Sequence, residues 1–373
     1  MHSTRALTIL AVATVLVALT AIVARQQTTS ISTQDEKLFP KLLTQINETA
    51  EIIGASNEGT FTLIAREGRW RVKEKHGYPA DADKVHQLLI GLSQLRRVEP
   101  KTRNPELYAK IGVEDVTVEG AESLRITLRN AEGQALADLL LGNRQLGKAN
   151  LNLHEYFVRL AGEPQSWLVE GKIPDEKSVL RWLDQRVLDL NADRVREVQV
   201  VHPDGNKVVV RRKDPSVADY ELVGLPKGAE IESAYAVNSI GNSLTNLTLD
   251  DVRTAADFSF DGKDPLTVEL STFDGLRVNM QTIKDGDQNL ARFRATFDSS
   301  LVQQTKTDAD EKADKGRPLK QADAVKQEVD GFNKRWKEWV YVIPRYRIDS
   351  LAKKKSDLLK VSEGKDKAGR SGG

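Results

Sequence analysis

The order of secondary-structure signals in this chain repeats, and a long internal repeat restricts the fold more than any single motif does. "ETAEIIGAS", turn "NEG", "TFTLIA", turn "REGR" and "WRVKE" read as a three-strand meander. In the following "PADADKVHQLLIGLSQL", Val85, Leu88, Leu89, Leu92 and Leu95 recur every three or four residues, which marks one buried helical face, and Asp81 or Asp83 is placed to cap it. After "NPELYAKIG" the strand signals return as "SLRITLRN", "ALADLLL", "NLHEYFVRL" and "SWLVE", and "PDEKSVLRWLDQRVL" reads as a second helix.

The same order then recurs. "RVREVQVVH", "KVVVRRK" and "DYELVGL" form a meander, and "AEIESAYAVNSIGNSLTNL" reads as a helix with Ile231, Ala234, Tyr235, Leu244 and Leu247 on its apolar side. "PLTVELSTF", "LRVNMQTI" and "NLARFRATF" follow as strands, and "WVYVIP" with "RYRIDSLAKKKSDLL" echoes the earlier "SWLVEGKIP" and its helix. The expected fold class is α+β, with two duplicated units of antiparallel meander sheet plus helices, repeating at about 150 residues. The expected boundaries are 38–190 and 191–360, with a charged insertion at about 299–330 containing a mobile loop and a short helix, and a disordered tail at 361–373.

Before the first unit, Ala6 to Ala24 is a run of 19 residues without a charge. As a helix it spans about 28 Å, close to the hydrocarbon thickness of a bilayer, so residues 1–37 read as a transmembrane helix and a polar stalk. A cleaved signal peptide is the rival reading, but its apolar region is ordinarily shorter and "TAIVARQQ" lacks an A-x-A site. The short N-terminal stub favours a single pass through the inner membrane with the bulk in the periplasm or outside the cell. The 55 basic and 54 acidic residues give a formal charge of +1, which argues against nucleic acid as a partner. Without cysteine there is no disulfide, thiolate nucleophile or cysteine metal site.

"GNRQLGKA", Gly142 to Ala149, has the glycine spacing and lysine of a phosphate-binding loop. Ala149 stands where a Mg²⁺-binding Ser or Thr is needed, the following segment is strand-like, and the matching connection in the second copy is "KDGDQ". A hairpin loop explains both copies, with Arg144 and Lys148 as exposed charges open to a partner. Asp81, Asp83 and His86 fall on one helical turn but offer no second imidazole, so helix capping explains them better than a metal. His154 and Glu155 lie on opposite faces of a strand, and His76 and His202 flank turns. No catalytic, cofactor or metal residues are expected. Trp336, Trp339, Tyr341 and Tyr346 concentrate aromatics beside the insertion; core packing is their ordinary use, and a partner surface is the functional one.

"GRWRV", "YPADADKVHQLLIGLSQL", "YFVRLAGEPQSWLVEGKIP" and "LDQRVLDL" together resemble the bacterial family called domain of unknown function 4340. The resemblance covers about Leu38 to Leu190 and continues more weakly beyond. It implies an accessory role beside ABC-type transporters of the gliding-motility kind, with a permease or an auxiliary exported subunit as partner. The expected function is therefore a membrane-anchored, non-catalytic accessory or scaffold of such a complex. The alternatives are a glycan- or peptidoglycan-binding module using Trp70, Tyr78 and the aromatics near Trp336, or a hydrolase built on converging carboxylates.

Overall fold

Tight turns set the hairpins of the first unit. Between β2 (Gly59–Arg66) and β3 (Arg69–Val72), Glu67 and Gly68 both take positive φ, 51° and 70°, as a two-residue hairpin turn with native twist requires. The computed structural model describes residues 36–145, 154–302 and 319–360. The anchor at 6–24, Lys148, most of the charged insertion and the tail lie outside the described residues. Among the described residues no helix is long and apolar enough to cross a membrane.

The chain divides into one unit ending at Leu183 and another beginning at Asp184. The first contains β1 (Thr49–Ser56), β2, β3, β4 (Tyr78–Pro79), β5 (Arg96–Pro100), β6 (Leu124–Asn130), β7 (Ala135–Gln145), β8 (His154–Leu160) and β9 (Ser166–Gly171). These form one antiparallel sheet in the order β4-β3-β2-β1-β6-β7-β8-β9-β5. Alternation along the strands sends Ile52, Leu63, Ile126, Leu139 and Val158 into the core. The helix Ala82–Gln94 supplies Val85, Leu88 and Leu92, all fully buried, each stabilising the unit by about 1.5–3 kcal/mol. Asp81 caps this helix by accepting from the Lys84 amide at 3.0 Å, as its spacing predicts.

The segment read as a helix from Pro174 is instead extended, with a single 3₁₀ turn at Val179–Trp182. Trp182 is the reason. Its ring packs 4.8 Å from Phe61, its indole N–H donates to the Glu176 carbonyl at 3.1 Å, and its carbonyl accepts from the Asp81 amide at 2.8 Å. An α-helix would consume that carbonyl internally.

The second unit contains β10 (Arg186–Leu188), β11 (Val195–Val201), β12 (Lys207–Arg211), β13 (Glu221–Leu222), β14 (Leu247–Thr248), β15 (Asp251–Thr254), β16 (Leu266–Thr272), β17 (Leu276–Asp285), β18 (Gln288–Phe297) and β19 (Trp339–Ile343). β10 pairs with β14, and the rest form an antiparallel sheet ordered β13-β12-β11-β16-β17-β18-β19-β15. That is the path of the first sheet without its outermost strand. The molecule is thus mostly antiparallel sheet, with six α-helices among the described residues.

The expected second-copy helix is cut to Ala234–Gly241, and its buried face is Ala236, Val237 and Ile240. Tyr235 is 82% exposed, contrary to the apolar stripe drawn from sequence, and Leu247 belongs to β14. Gly241 explains the rotation: a Cβ there would lie 2.4 Å from the Tyr220 ring, so this face meets Tyr220 directly.

The helix Ala322–Trp336, which begins inside the insertion, packs on β17, β18 and β19. Beyond Ala291, β18 has no β19 partner, and Asn333 substitutes for one. Its carboxamide accepts from the Ala295 amide and donates to the Ala295 carbonyl, both at 2.9 Å. Farther along the same helix, Glu328 joins Arg194 at 2.7 Å, and Arg194 reaches Asp274 at 2.7 Å in the β16–β17 turn. Burial raises the Glu328 pKa, but hydrogen bonds from Arg194 and Lys320 outweigh it and hold the carboxyl below its ordinary 4.5.

Two outcomes follow for stability. The contribution of Glu328 is complete above the ordinary carboxylate range and is lost as pH falls through the lower folded-state value, so urea midpoints drop as the pH is lowered below that range and Glu328→Gln flattens that drop. Asn333→Leu strands both polar groups of Ala295 and destabilises the protein by about 2 kcal/mol in urea unfolding.

Candidate functional site

The first unit carries a groove of about 900 Å³ between the outer face of the helix Ala82–Gln94 and the ends of β7, β8 and β9. The helix supplies Lys84, His86, Gln87, Ile90, Gly91 and Gln94. Lys37 and Arg96, which bridge to each other as an added edge, supply one end. Arg144 ends β7, His154 begins β8, and Glu170 through Pro174 run out of β9.

Glycine sets the width. A Cβ on Gly91 would meet the Lys172 carbonyl at 2.3 Å and the Ile173 side chain at 2.6 Å, so only glycine lets the helix lie this close to the strand exit. Gly142, the first glycine of "GNRQLGKA", has a packing role as well. Its Cβ would lie 2.3 Å from the Ile111 carbonyl, at a point where the β7–β8 register shifts between Leu141 and Arg144. Gly142 therefore serves close approach of the strand to the Ile111 carbonyl. β7 runs through Gln145 and re-pairs with β8 at Arg144↔Tyr156 and Gln145↔Glu155, so the motif joins two antiparallel strands. A phosphate loop requires the N-terminus of a helix after its strand, and among the described residues the element after β7 is the strand β8.

Five cations (Lys37, Lys84, Arg96, Arg144, Lys172) face two carboxylates (Glu170, Glu176) and two imidazoles (His86, His154) along this groove. Some of the positive charge is committed. Arg144 pairs with Asp175 at 3.2 Å and lies 5.6 Å over the Tyr156 ring, and Lys84 donates to the Arg181 carbonyl at 2.5 Å. Tyr156 donates to the Ile173 carbonyl at 3.3 Å, and burial pushes its phenol pKa up, so it remains a neutral wall. The arrangement suits electrostatic recognition of an anionic group.

The aromatic candidates are placed differently from a partner surface. Trp336, Trp339 and Tyr341 are 2%, 8% and 0% exposed, packed within the second unit. The Trp336 ring stacks on Phe332 at 4.8 Å, its N–H donates to the Val187 carbonyl at 3.0 Å, and Phe293 lies 5.6 Å from Tyr341. These three are core residues because strand alternation and the covering helix turn them inward. Tyr346 is 62% exposed and Arg144 is exposed, and Lys148 is outside the described residues. Among the described residues no group of three or more His, Asp or Glu is placed to hold a metal. The groove brings together side chains from Lys37 to Glu176, and no local pattern in the sequence connects them.

Gly91→Ala tests the packing that forms the groove. Helix propensity favours alanine by about 1 kcal/mol, but overpacking against an immovable carbonyl costs about 1–3 kcal/mol. The expected result is net destabilisation, read as a melting temperature lowered by a few degrees.

No curated protein and no solved structure matches the chain. The family model described as Domain of unknown function (DUF4340) matches residues 70–272, from β3 through β16. This match spans more than half of the 373 residues, and the chain belongs to that family.

Proposed function

We propose that the protein is a membrane-anchored, exported, non-catalytic scaffold or accessory subunit of an ABC-type transport complex in the cell envelope. One observation supports the non-catalytic reading: on both sheets several charges are held in Arg–carboxylate pairs. Arg125–Asp138 at 2.8 Å and Arg129–Glu51 at 3.6 Å cross the first sheet. Arg211–Glu197 and Arg277–Glu269 cross the second. Asp274 and Glu328 are balanced by Arg194 and Lys320 together, and an acid kept ionised is a poor proton donor. Fixed, mutually neutralised charge on a sheet face suits docking of a protein surface with its own complementary charges.

The run from Ala6 to Ala24 supports anchoring, and the shared strand order of the two sheets supports an origin by duplication. The transport association rests on what resemblance to the family implies. Glycan binding through Trp70, Tyr78 and the aromatics near Trp336 has less support, since Tyr78 and Trp336 are 2% exposed and Trp70 is half-buried.

Affinity purification of the full chain from detergent-solubilised membranes is the test. Recovery of a transporter permease or an auxiliary exported subunit is expected. Recovery of neither, from membranes in which those proteins are detected, overturns the transport assignment.

A further inference from the structure

The basic groove of the first unit holds more positive charge than its own side chains cancel. Both of its guanidinium groups are matched: Arg144 pairs with Asp175 at 3.2 Å, and Arg96 stands directly across from Glu170 in the β5–β9 register. Lysine is left over. Lys37, Lys84 and Lys172 line the groove against Glu176, which leaves two positive charges while His86 and His154 are neutral. The Lys84 ammonium donates to the Arg181 carbonyl, a neutral acceptor that leaves its charge in place. A second cavity, of about 760 Å³, lies in the second unit beside the helix Arg345–Leu351, and there Lys263, Lys284 and Arg345 are matched in number by Asp264, Asp287 and Asp349. The surplus therefore belongs to the first groove and is not general to strand ends in this chain.

The backbone sets where the lysines stand. Lys84, Gln87, Gly91 and Gln94 recur at three- and four-residue intervals and make one face of their helix. The Lys172 carbonyl abuts that face at Gly91, so Lys172 is held opposite its middle. Lys37 joins at the C-terminal end, where the Leu38 amide donates to the Leu95 carbonyl at 2.8 Å. At 1.5 Å per residue, Gly91 is about 6 Å along the axis from Leu95 and about 10 Å from Lys84. Four-carbon side chains close gaps of that size, so the three ammonium groups can reach one bound group. Lys172 is exposed, and Lys37 and Lys84 are partly exposed, which leaves them open to a ligand.

The donors decide the kind of anion. A planar carboxylate is met best by a guanidinium fork, and both forks here are already matched. Ammonium groups are compact point charges, and they suit a tetrahedral dianion whose three oxygens accept from donors on different sides. A phosphate monoester carries about −1.5 to −2 at neutral pH, which answers the surplus. Ile90 and Pro174, both half-buried, line the same groove and give the organic part of the ester an apolar contact.

We propose that the groove of the first unit binds a phosphate monoester, with Lys172 and Lys37 as its main cationic contacts and Lys84 as a third. This goes beyond the scaffold role and is independent of it.

Isothermal titration of the full chain in an uncharged detergent tests this with glycerol 3-phosphate and dihexanoyl phosphatidic acid as separate probes. Succinate, a dicarboxylate dianion, and dihexanoyl phosphatidylcholine are the controls. Binding of glycerol 3-phosphate assigns a soluble phosphate ester, and binding of phosphatidic acid alone assigns a lipid headgroup. In either case Lys172→Gln and Lys37→Gln each weaken binding by about fivefold or more, and both controls bind about tenfold more weakly or not at all. Lys227→Gln, at an exposed position in the second unit, leaves the affinity unchanged. Binding of neither phosphate probe, succinate bound as tightly as the better of them, or affinity unchanged in Lys172→Gln overturns the assignment. Lys172→Gln decides the question should Lys37→Gln fail to fold, because the Lys172 side chain is exposed.

Discussion

Each sheet has one apolar face that water rejects, and the need to cover that face determines where the other elements lie. In the first unit the helix Ala82–Gln94 covers it, joined by Trp182, whose insertion forces the preceding chain into an extended path. The second unit has only the eight-residue helix Ala234–Gly241 at the corresponding point in its strand order. There the cover over β17, β18 and β19 comes from Ala322–Trp336, delivered by extra chain between β18 and β19. Arg194 and Asn333 fix that helix, one by charge and the other by imitating a strand residue. Two similar sheets thus meet one physical requirement with differently placed helices.

The grooves follow from the same arrangement. A helix on a sheet leaves the strand ends uncovered, and polar side chains collect there because they are excluded from the middle. In the first unit Gly91 draws the helix down and leaves a basic channel beside it. In the second, the strand ends and Arg345–Leu351 enclose a smaller space with balanced charge. The two cavities thus differ in charge, although strand order is shared.

Legibility from sequence followed the range of the interactions. The hairpins could be read because their turns are local: "NEG", "REGR" and "KDGDQ" each fall between paired strands. The helix Ala82–Gln94 could be read because Asp81 and the leucine spacing agree. The extended segment around Trp182 could not, since its apolar residues fit helical spacing and only contact with Phe61 and Asp81 decides the matter. Tyr235 was assigned to the wrong side for a similar reason, as Tyr220 selects the buried face. Trp336, Trp339 and Tyr341 show that aromatic density alone does not separate core from surface. Neither cavity has a sequence signature, because each is lined by residues that folding gathers from separate strands and a helix.

The two-handed bond from Asn333 to Ala295 fixes a helix by the same rule that fixes a strand. β18 is registered against β17 along its whole length, and β19 is registered against β15. Asn333 extends that register to the covering helix, since its carboxamide meets the Ala295 amide and carbonyl together. The ion pair from Glu328 to Arg194 holds a second point on the same helix. Two points define a line, so Ala322–Trp336 has a set position along the sheet, which non-directional apolar packing alone would leave free to slide.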